Sequence, residues 1–200
     1  MGQRSQIYIR FPYGDNYGLI AKYYQWNYGE QMISRCRYGI EWILERMEYI
    51  QWFYLFKDNI ELLSEIFDVN FDMYDVSKTC DIIKEFHDYF PEENFNNWIF
   101  KQQDNNDGQL FIDIRKSGVY YSFIDNACDI DNIMDAEGYM EWNNDPKDWR
   151  NSKYISKDQK LRCERNIRYI SKHTKLMTLN ELEYFITCDY SKYYHDNYLK

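Results

Sequence analysis

The fold of this chain is decided by residues Glu30–Ile50, EQMISRCRYGIEWILERMEYI. Apolar side chains recur along this stretch at steps of three and four residues, at Ile33, Cys36, Ile40, Ile43, Met47 and Ile50. This spacing places all of them on one stripe of an α-helix, whereas the side chains of a strand alternate between two faces. Gly39 costs about 1 kcal/mol relative to alanine inside a helix. We therefore predict a long helix that is held by packing against a sheet rather than by its own propensity.

Two groups of strands are predicted to form that sheet. Near the start, Gln6–Phe11 and Leu19–Trp26 flank a turn-rich segment and predict an antiparallel hairpin. In the middle of the chain, Trp98–Gln102, Gln109–Arg115 and Val119–Asp125 are separated by Asp-Gly and Ser-Gly turns and predict a three-stranded meander. Alternation of apolar and polar residues in the middle strand predicts a sheet with one buried face.

The other predicted elements are helices. They are a short helix from Asp58 to Phe67, a helix over Lys78–Phe90 capped by Ser77, a helix over Asn132–Trp142, one from the Ser156-x-x-Gln159 capping box to about Lys172, and a last one after Thr178-x-x-Glu181. No linker or repeat divides the chain. The expected fold is a single α+β domain over residues 1–200, with an antiparallel sheet of about five strands packed against the long helix and further helices around it.

Composition predicts a folded protein of a reducing compartment. Hydrophobic residues make up 44% of the chain and aromatic residues 20%, which is far above the content of disordered chains. The five cysteines are widely separated and show no metal-binding or redox spacing. Free thiols, an N-terminus without a secretory leader and the lack of a membrane-spanning apolar run together predict a cytoplasmic protein that does not enter membranes.

Charge is distributed unevenly along the chain. The net charge of −9 divides into +1 for residues 1–50, −15 for residues 51–145 and +5 for residues 146–200. One interpretation is a solvated surface whose acidic and basic parts attract each other. The other is an acidic face that meets a basic partner.

No motif of a catalytic or cofactor site is found in the sequence. A calcium-binding loop that started at Asp129 would have Ile133, Met134 and Met140 where an oxygen ligand, a glycine and a glutamate are required. The three histidines lie far apart, and no phosphate-binding glycine loop is present. We therefore expect no enzymatic activity, no metal and no cofactor.

A basic stripe is predicted on the helix that follows Ser156. Arg162, Arg165, Arg168 and Lys172 recur at steps of three and four residues. Such a stripe either meets phosphate groups or docks on the acidic segment of the same chain. The sequence leaves both interpretations open.

The opening MGQRSQIYIR and the segment GLIAKYYQWNYGE, from Gly18 to Glu30, resemble small uncharacterised accessory proteins of phages and prophages of low-GC Gram-positive bacteria. Weaker similarity extends over Asp107–Asp113. The resemblance carries over no catalytic residue. It implies a biological setting, because many such accessory proteins counter host defences, and anti-CRISPR inhibitors of this type are often small and acidic.

These observations lead to one functional hypothesis and one alternative. The hypothesis is a phage-encoded counter-defence protein in the host cytoplasm that inhibits a basic, nucleic-acid-binding defence protein by imitating phosphates. The partner-binding residues would be Asp104, Asp107, Asp113, Asp125, Asp129, Asp131, Asp135 and Glu137. Direct DNA binding is not expected, because an acidic chain is repelled by DNA. The alternative is a protein that sequesters a small nucleotide signal, with aromatic rings that stack on the base and with Arg162, Arg165, Arg168 and Lys172 on the phosphates.

Overall fold

A computed structural model describes residues 3–47, 67, 79–128, 130, 132–144 and 148–199. Within these ranges the six strands are β1 (Arg4–Tyr13), β2 (Asn16–Gln25), β3 (Thr79–Asp81), β4 (Gln109–Arg115), β5 (Gly118–Ile124) and β6 (Lys175–Leu176). The seven helices are α1 (Glu30–Met47), α2 (Ile82–Tyr89), α3 (Phe95–Lys101), α4 (Ala136–Asn143), α5 (Lys157–His173), α6 (Leu179–Thr187) and α7 (Ser191–Tyr198), and a single 3-10 turn spans Trp149–Asn151. The α+β class predicted from the sequence is confirmed.

The sheet is mixed and has the strand order β3-β2-β1-β4-β5-β6. The predicted hairpin of β1 and β2 is confirmed, and its pairs run from Arg4 opposite Gln25 to Tyr13 opposite Asn16. The predicted antiparallel sheet of about five strands is only roughly matched, because the sheet has six described strands, β4 lies parallel to β1 and β6 lies parallel to β5. Local turn signals could not reveal the parallel contacts, since these join strands far apart in the sequence.

The predicted three-stranded meander is reduced to the hairpin of β4 and β5. Its first segment belongs to helix α3, which begins where the side chain of Asn94 accepts the backbone N–H of Asn97. Trp98, Ile99 and Phe100 are buried in succession, a pattern in which a short helix and a buried strand look alike. The backbone carbonyl of Ile99 accepts the hydroxyl of Tyr8 and so ties this helix to β1.

The predicted helices are confirmed in part. The long helix is present from Glu30 to Met47, and its remaining predicted residues lie outside the described ranges. Both capping boxes form, the first by Ser156 with Gln159 and the second by Thr178 with Glu181.

Other predicted helix starts differ from the structure. Helix α2 begins after Asp81, whose side chain caps it, and Ser77 lies outside the described residues. Helix α4 begins after Asp135 rather than at Asn132. The predicted helix from Asp58 also lies outside the described residues, apart from Phe67.

The middle strands are buried along their whole width. Every residue from Ser5 to Phe11 in β1 and from Gln109 to Ile114 in β4 is buried, so the expectation of one buried face is wrong. Aromatic rings pack closely there: the ring centroids of Tyr8 and Phe111 are 4.9 Å apart, and those of Phe111 and Phe185 are 5.2 Å apart. The apolar stripe of α1 is fully buried in the same core at Ile33, Cys36, Ile40 and Ile43.

Among the described helices, none combines the length and the apolar character needed to cross a lipid bilayer.

Replacement of Gly39 by alanine tests the packing of α1. A Cβ atom at Gly39 would lie 2.2 Å from Cζ of the buried Phe67 ring, so we expect a loss of about 1–3 kcal/mol in the free energy of unfolding, although helix propensity alone predicts a gain. Gly138→Ala in α4 is the control, because the nearest atom to its Cβ would be a side-chain oxygen of Asp135 at 3.3 Å. Urea unfolding measures both, and a stabilised Gly39→Ala protein would contradict the packing.

Candidate functional site

The carboxylate of Asp113 lies in the core of the protein. It is completely buried and accepts two hydrogen bonds from Arg10, one from Nε at 2.8 Å and one from Nη2 at 2.6 Å, and a third from Nε of Arg115. The guanidinium of Arg10 also lies over three rings, with its Cζ 4.8–5.0 Å from the centroids of Tyr17, Tyr184 and Phe185. The prediction that Asp113 faces a partner is therefore wrong, because its carboxylate is paired with Arg10 and Arg115 inside the fold.

Arg115 extends this network to helix α6. Its Nη1 donates to the carboxylate of Glu181, whose pKa is lowered to about 2. The backbone N–H of Thr178 is the largest cause of this shift, and Arg115 is the next. Glu181, which completes the capping box of α6 with Thr178, thus also links the helix to β4.

Asp107 and Glu137 also serve the fold. The buried carboxylate of Asp107 accepts the backbone N–H of Arg4 at 2.7 Å, and its pKa is raised by burial. Glu137 receives two guanidinium hydrogen bonds from Arg150, which lower its pKa, and one from the indole of Trp149. Asp107 is thus buried. Glu137 links the acidic segment, residues 51–145, to the basic segment, residues 146–200.

Asp104 and Asp125 are placed together at one end of the sheet. The side chain of Asp104 is 65% exposed and forms an ion pair with Arg4. Asn105 donates its side-chain amide to the backbone carbonyl of Asp125 at 2.6 Å, which brings the two turns into contact. Of the other predicted carboxylates, Asp135 is exposed and caps α4, whereas Asp129 and Asp131 lie outside the described residues.

The loop between β2 and α1 presents aromatic side chains at the same end. Trp26 is 43% exposed and is the one described non-glycine residue with a positive φ, at 63°. For a residue with a Cβ atom, this conformation costs about 1–2 kcal/mol. Tyr28, two residues later, is also exposed. We call Trp26, Tyr28, Asp104 and Asp125 the Trp26 end.

Buried hydrogen bonds hold the loop in this conformation. Asn27 is fully buried, and its side-chain oxygen accepts Nε of Arg35 at 2.7 Å while its backbone carbonyl accepts the hydroxyl of Ser5 at 2.6 Å. The backbone N–H of Trp26 donates to the carbonyl of Gln3 at 2.9 Å. With Asn27 held inward, the aromatic residues on both sides of it are directed outward.

The sequence interpretation did not assign a role to this loop. The alternation of aromatic and polar residues in Gln25-Trp26-Asn27-Tyr28 was a usable signal, because it continues the period of a strand beyond the end of β2.

The basic stripe on α5 is exposed at Arg165, Arg168 and Lys172 and half-buried at Arg162. Arg162 forms an ion pair with Glu30 of α1 at 3.5 Å, and Arg168 forms one with Glu164 of its own helix at 3.7 Å. Arg165 and Lys172 are exposed. Neither Glu30 nor Glu164 belongs to the acidic segment, so within the described part of the chain these two ion pairs do not dock α5 on that segment.

The described residues also bear on metal binding and thiol chemistry. No cluster of three or more histidine, cysteine, aspartate or glutamate residues in these ranges is placed to hold a metal ion. The pKa values of the buried thiols Cys36 and Cys163 are raised by burial, so both are protonated at neutral pH.

No protein-family model, no curated protein sequence and no solved structure matches this chain.

Substitution of Asp113 by asparagine tests the buried network. The change leaves the buried guanidinium of Arg10 without its counter-charge, and we expect the free energy of unfolding to fall by about 3–5 kcal/mol. Asp104→Asn is the matched control, because its ion pair is exposed and contributes less than about 1 kcal/mol. Equal losses of unfolding free energy in Asp113→Asn and Asp104→Asn, measured by urea unfolding, would contradict this prediction.

Acid titration tests the link between Arg115 and Glu181. The pKa of Glu181 is 4.5 in its ordinary state and about 2 in the fold, so protonation favours the unfolded chain. Stability should be complete above pH 4.5 and should fall as the pH decreases towards 2. Glu181→Gln should be less stable at neutral pH and lose less between these pH values, whereas Glu183→Gln, an exposed change on the same helix, should follow the unmodified protein. An unchanged profile for Glu181→Gln would refute the link.

Proposed function

We propose that this protein is a binding protein whose Trp26 end docks on a basic, nucleic-acid-binding partner and occupies the surface that receives phosphates. The observation that carries the proposal is the exposed Trp26, held at a costly backbone conformation at the same end of the sheet as the exposed carboxylate of Asp104. Residues kept in unfavourable backbone conformations are concentrated at functional sites. An indole that is directed outward at such a cost is suited to contact another molecule.

The residue types at the Trp26 end suit a basic surface. Tryptophan and tyrosine are enriched among the residues that dominate the energy of protein interfaces. Their ring faces also attract arginine and lysine, with energies of about 0.5–2 kcal/mol for each pair. Carboxylates beside such rings supply the hydrogen-bond acceptors that a guanidinium requires. A partner that binds phosphates carries these cations on its surface.

Asp104 can change partners at low cost. Its ion pair with Arg4 is exposed, and exposed pairs contribute only about 0–1 kcal/mol. An arginine of the partner can therefore replace Arg4 without disturbing the fold. Arg4 is held in place separately, because its backbone N–H donates to the side chains of Asn106 and Asp107 at 2.8 and 2.7 Å.

The setting that we propose is the one implied by the resemblance: a phage-encoded counter-defence protein, of the anti-CRISPR type, that acts in the host cytoplasm. Of the eight carboxylates predicted to bind a partner, the proposal uses Asp104 and Asp125. Asp107 and Asp113 are buried, and Glu137 is paired with Arg150. The proposed contact surface is thus smaller than a broad acidic face. It combines a few carboxylates with two aromatic rings.

The alternative function, sequestration of a small nucleotide signal by the basic stripe, stays a prediction. Arg162, Arg165, Arg168 and Lys172 extend over about 15 Å of α5, which is long for a single small ligand. Arg162 is directed towards Glu30. These positions support a role of Arg162 in packing α5 against α1.

A pull-down from nuclease-treated lysate of a low-GC Gram-positive bacterium tests the proposed function. The bait variant combines Trp26→Ala, Asp104→Lys and Asp125→Lys, and we expect it to lose a basic, nucleic-acid-binding partner that the unmodified protein retains at low salt. The control combines Tyr89→Ala, Glu92→Lys and Glu93→Lys, which removes one exposed ring and reverses two exposed charges elsewhere. Mass spectrometry identifies the captured proteins, and thermal unfolding confirms that both variants fold.

Two results would contradict the proposal. In the first, the two variants lose the partner equally, which would show that only net charge matters. In the second, excess DNA fails to displace the partner from the unmodified protein, which would show that the phosphate-binding surface is not the one occupied.

A further inference from the structure

A cavity of about 300 Å³ lies where α1 and α5 begin and α4 ends. It is lined by Tyr28, Gly29, Glu30, Gln31, Met140, Asn143, Asn144, Tyr154, Ile155 and Gln159. Its volume is at the lower limit of the usual range for ligand cavities. A ligand of the size of one nucleotide therefore suits it better than an oligonucleotide.

The apolar wall of the cavity offers a surface for stacking. Tyr28 and Tyr154 contribute aromatic rings, and Met140 and Ile155 contribute apolar side chains. Tyr154 is 77% exposed, and Nζ of Lys153 lies 5.1 Å from its ring centroid. Stacking on such rings is the sequence-tolerant way in which proteins hold single nucleobases. The exposure of Tyr154 leaves its ring accessible to a planar ligand.

The polar wall consists mainly of side-chain amides. They belong to Gln31, Asn143, Asn144 and Gln159. Both polar atoms of Gln159 are already bonded, to Ser156 and Glu30, and the side-chain amide of Asn144 donates to the carbonyl of Met140. Among the described residues, the buried Oε1 of Gln31 has no hydrogen-bond partner. The edge of a purine base alternates donors and acceptors, and asparagine or glutamine pairs with adenine through two hydrogen bonds.

Two helix N-termini lie at the mouth of the cavity, together with charges of both signs, among them Glu30 of the lining and the exposed Asp158 in the first turn of α5. Helices α1 and α5, of 18 and 17 residues, both begin there and run side by side in the same direction, as the contacts of Glu30 with Gln159 and of Ser34 with Asn166 show. The first N–H groups of a helix have no partner within it, and the helix dipole favours an anion at this end. Lys153 and Lys157 are exposed nearby.

The carboxylate of Glu30 does not oppose a bound anion strongly. It is held by the amide of Gln159 and by the guanidinium of Arg162, with the Arg162 Nη2 to Glu30 Oε2 distance at 3.5 Å. Its charge is therefore largely compensated before a ligand enters.

We propose that this cavity binds a purine nucleoside monophosphate. The base stacks on Tyr154 and Tyr28, the amides of Gln31, Asn143 and Asn144 contact its edge, and the phosphate lies at the start of α5 beside Lys157. This site differs from the basic stripe, since Arg165, Arg168 and Lys172 are not part of its lining. It shares Tyr28 with the Trp26 end, but Trp26, Asp104 and Asp125 do not line it.

Isothermal titration calorimetry with AMP, GMP, CMP, UMP and inorganic phosphate tests the site on the full chain. We expect AMP or GMP to bind more tightly than the pyrimidine nucleotides and phosphate alone. Tyr154→Ala should weaken purine binding by about 5- to 100-fold through the loss of stacking. Tyr89→Ala is the matched control, because Tyr89 is 73% exposed and lies outside the cavity, and it should bind as the unmodified protein does.

A second variant separates the phosphate from the base. Lys157→Ala should weaken AMP binding and leave adenosine binding unchanged. The proposal is overturned if no nucleotide binds at millimolar concentration, if Tyr154→Ala and Tyr89→Ala bind equally well, or if inorganic phosphate binds as tightly as the nucleotides. Loss of nucleotide binding in Tyr154→Ala with the pull-down partner retained would show that the two sites act separately.

Discussion

The buried carboxylate of Asp113 is the constraint on which much of the structure depends. An ionised group without water must be paired and hydrogen-bonded, and Arg10 supplies both from the neighbouring strand. Arg10 lies directly opposite Asp113 in the parallel pairing of β1 and β4. A shift of one residue between these strands would move one of the two charges to the other face of the sheet. The pair therefore specifies the register of the central, parallel contact.

The same network extends from the sheet to the C-terminal helices. Arg115 joins Asp113 to Glu181, and the rings of Tyr184 and Phe185 enclose the guanidinium of Arg10. Helix α6 is thus held both by charge and by aromatic packing. Removal of Asp113 leaves the buried guanidinium of Arg10 without compensation, whereas Arg115 and Glu181 at the other end of the network are partly exposed.

This arrangement changes how the acidity of the protein should be interpreted. A net charge of −9 is typical of a protein that repels nucleic acid, but within the described residues several of the predicted carboxylates do not contribute to an acidic face. Asp113 and Asp107 lie inside the fold, and Glu137 is paired with Arg150. Among the described residues, the surface offers small, mixed groups: Asp104 and Asp125 at the same end of the sheet as Trp26, and a cavity with amides and rings at the start of α1. Both groups are positioned by the loop around Asn27, whose buried hydrogen bonds direct Trp26 and Tyr28 outward.

The sequence by itself determined the local elements. The spacing from Ile33 to Ile43 predicted α1, and the turn residues predicted both hairpins. The pairs Ser156–Gln159 and Thr178–Glu181 predicted the starts of α5 and α6. Each of these signals lies within a few residues of the structure that it specifies. Only the tertiary structure decided that β4 runs parallel to β1, that Trp98–Phe100 is helical, and that Asp113 is buried while Asp104 is exposed. These outcomes depend on contacts between residues about 100 positions apart, such as Arg10 with Asp113 and Tyr8 with Ile99, and no local pattern of charge or hydrophobicity encodes them.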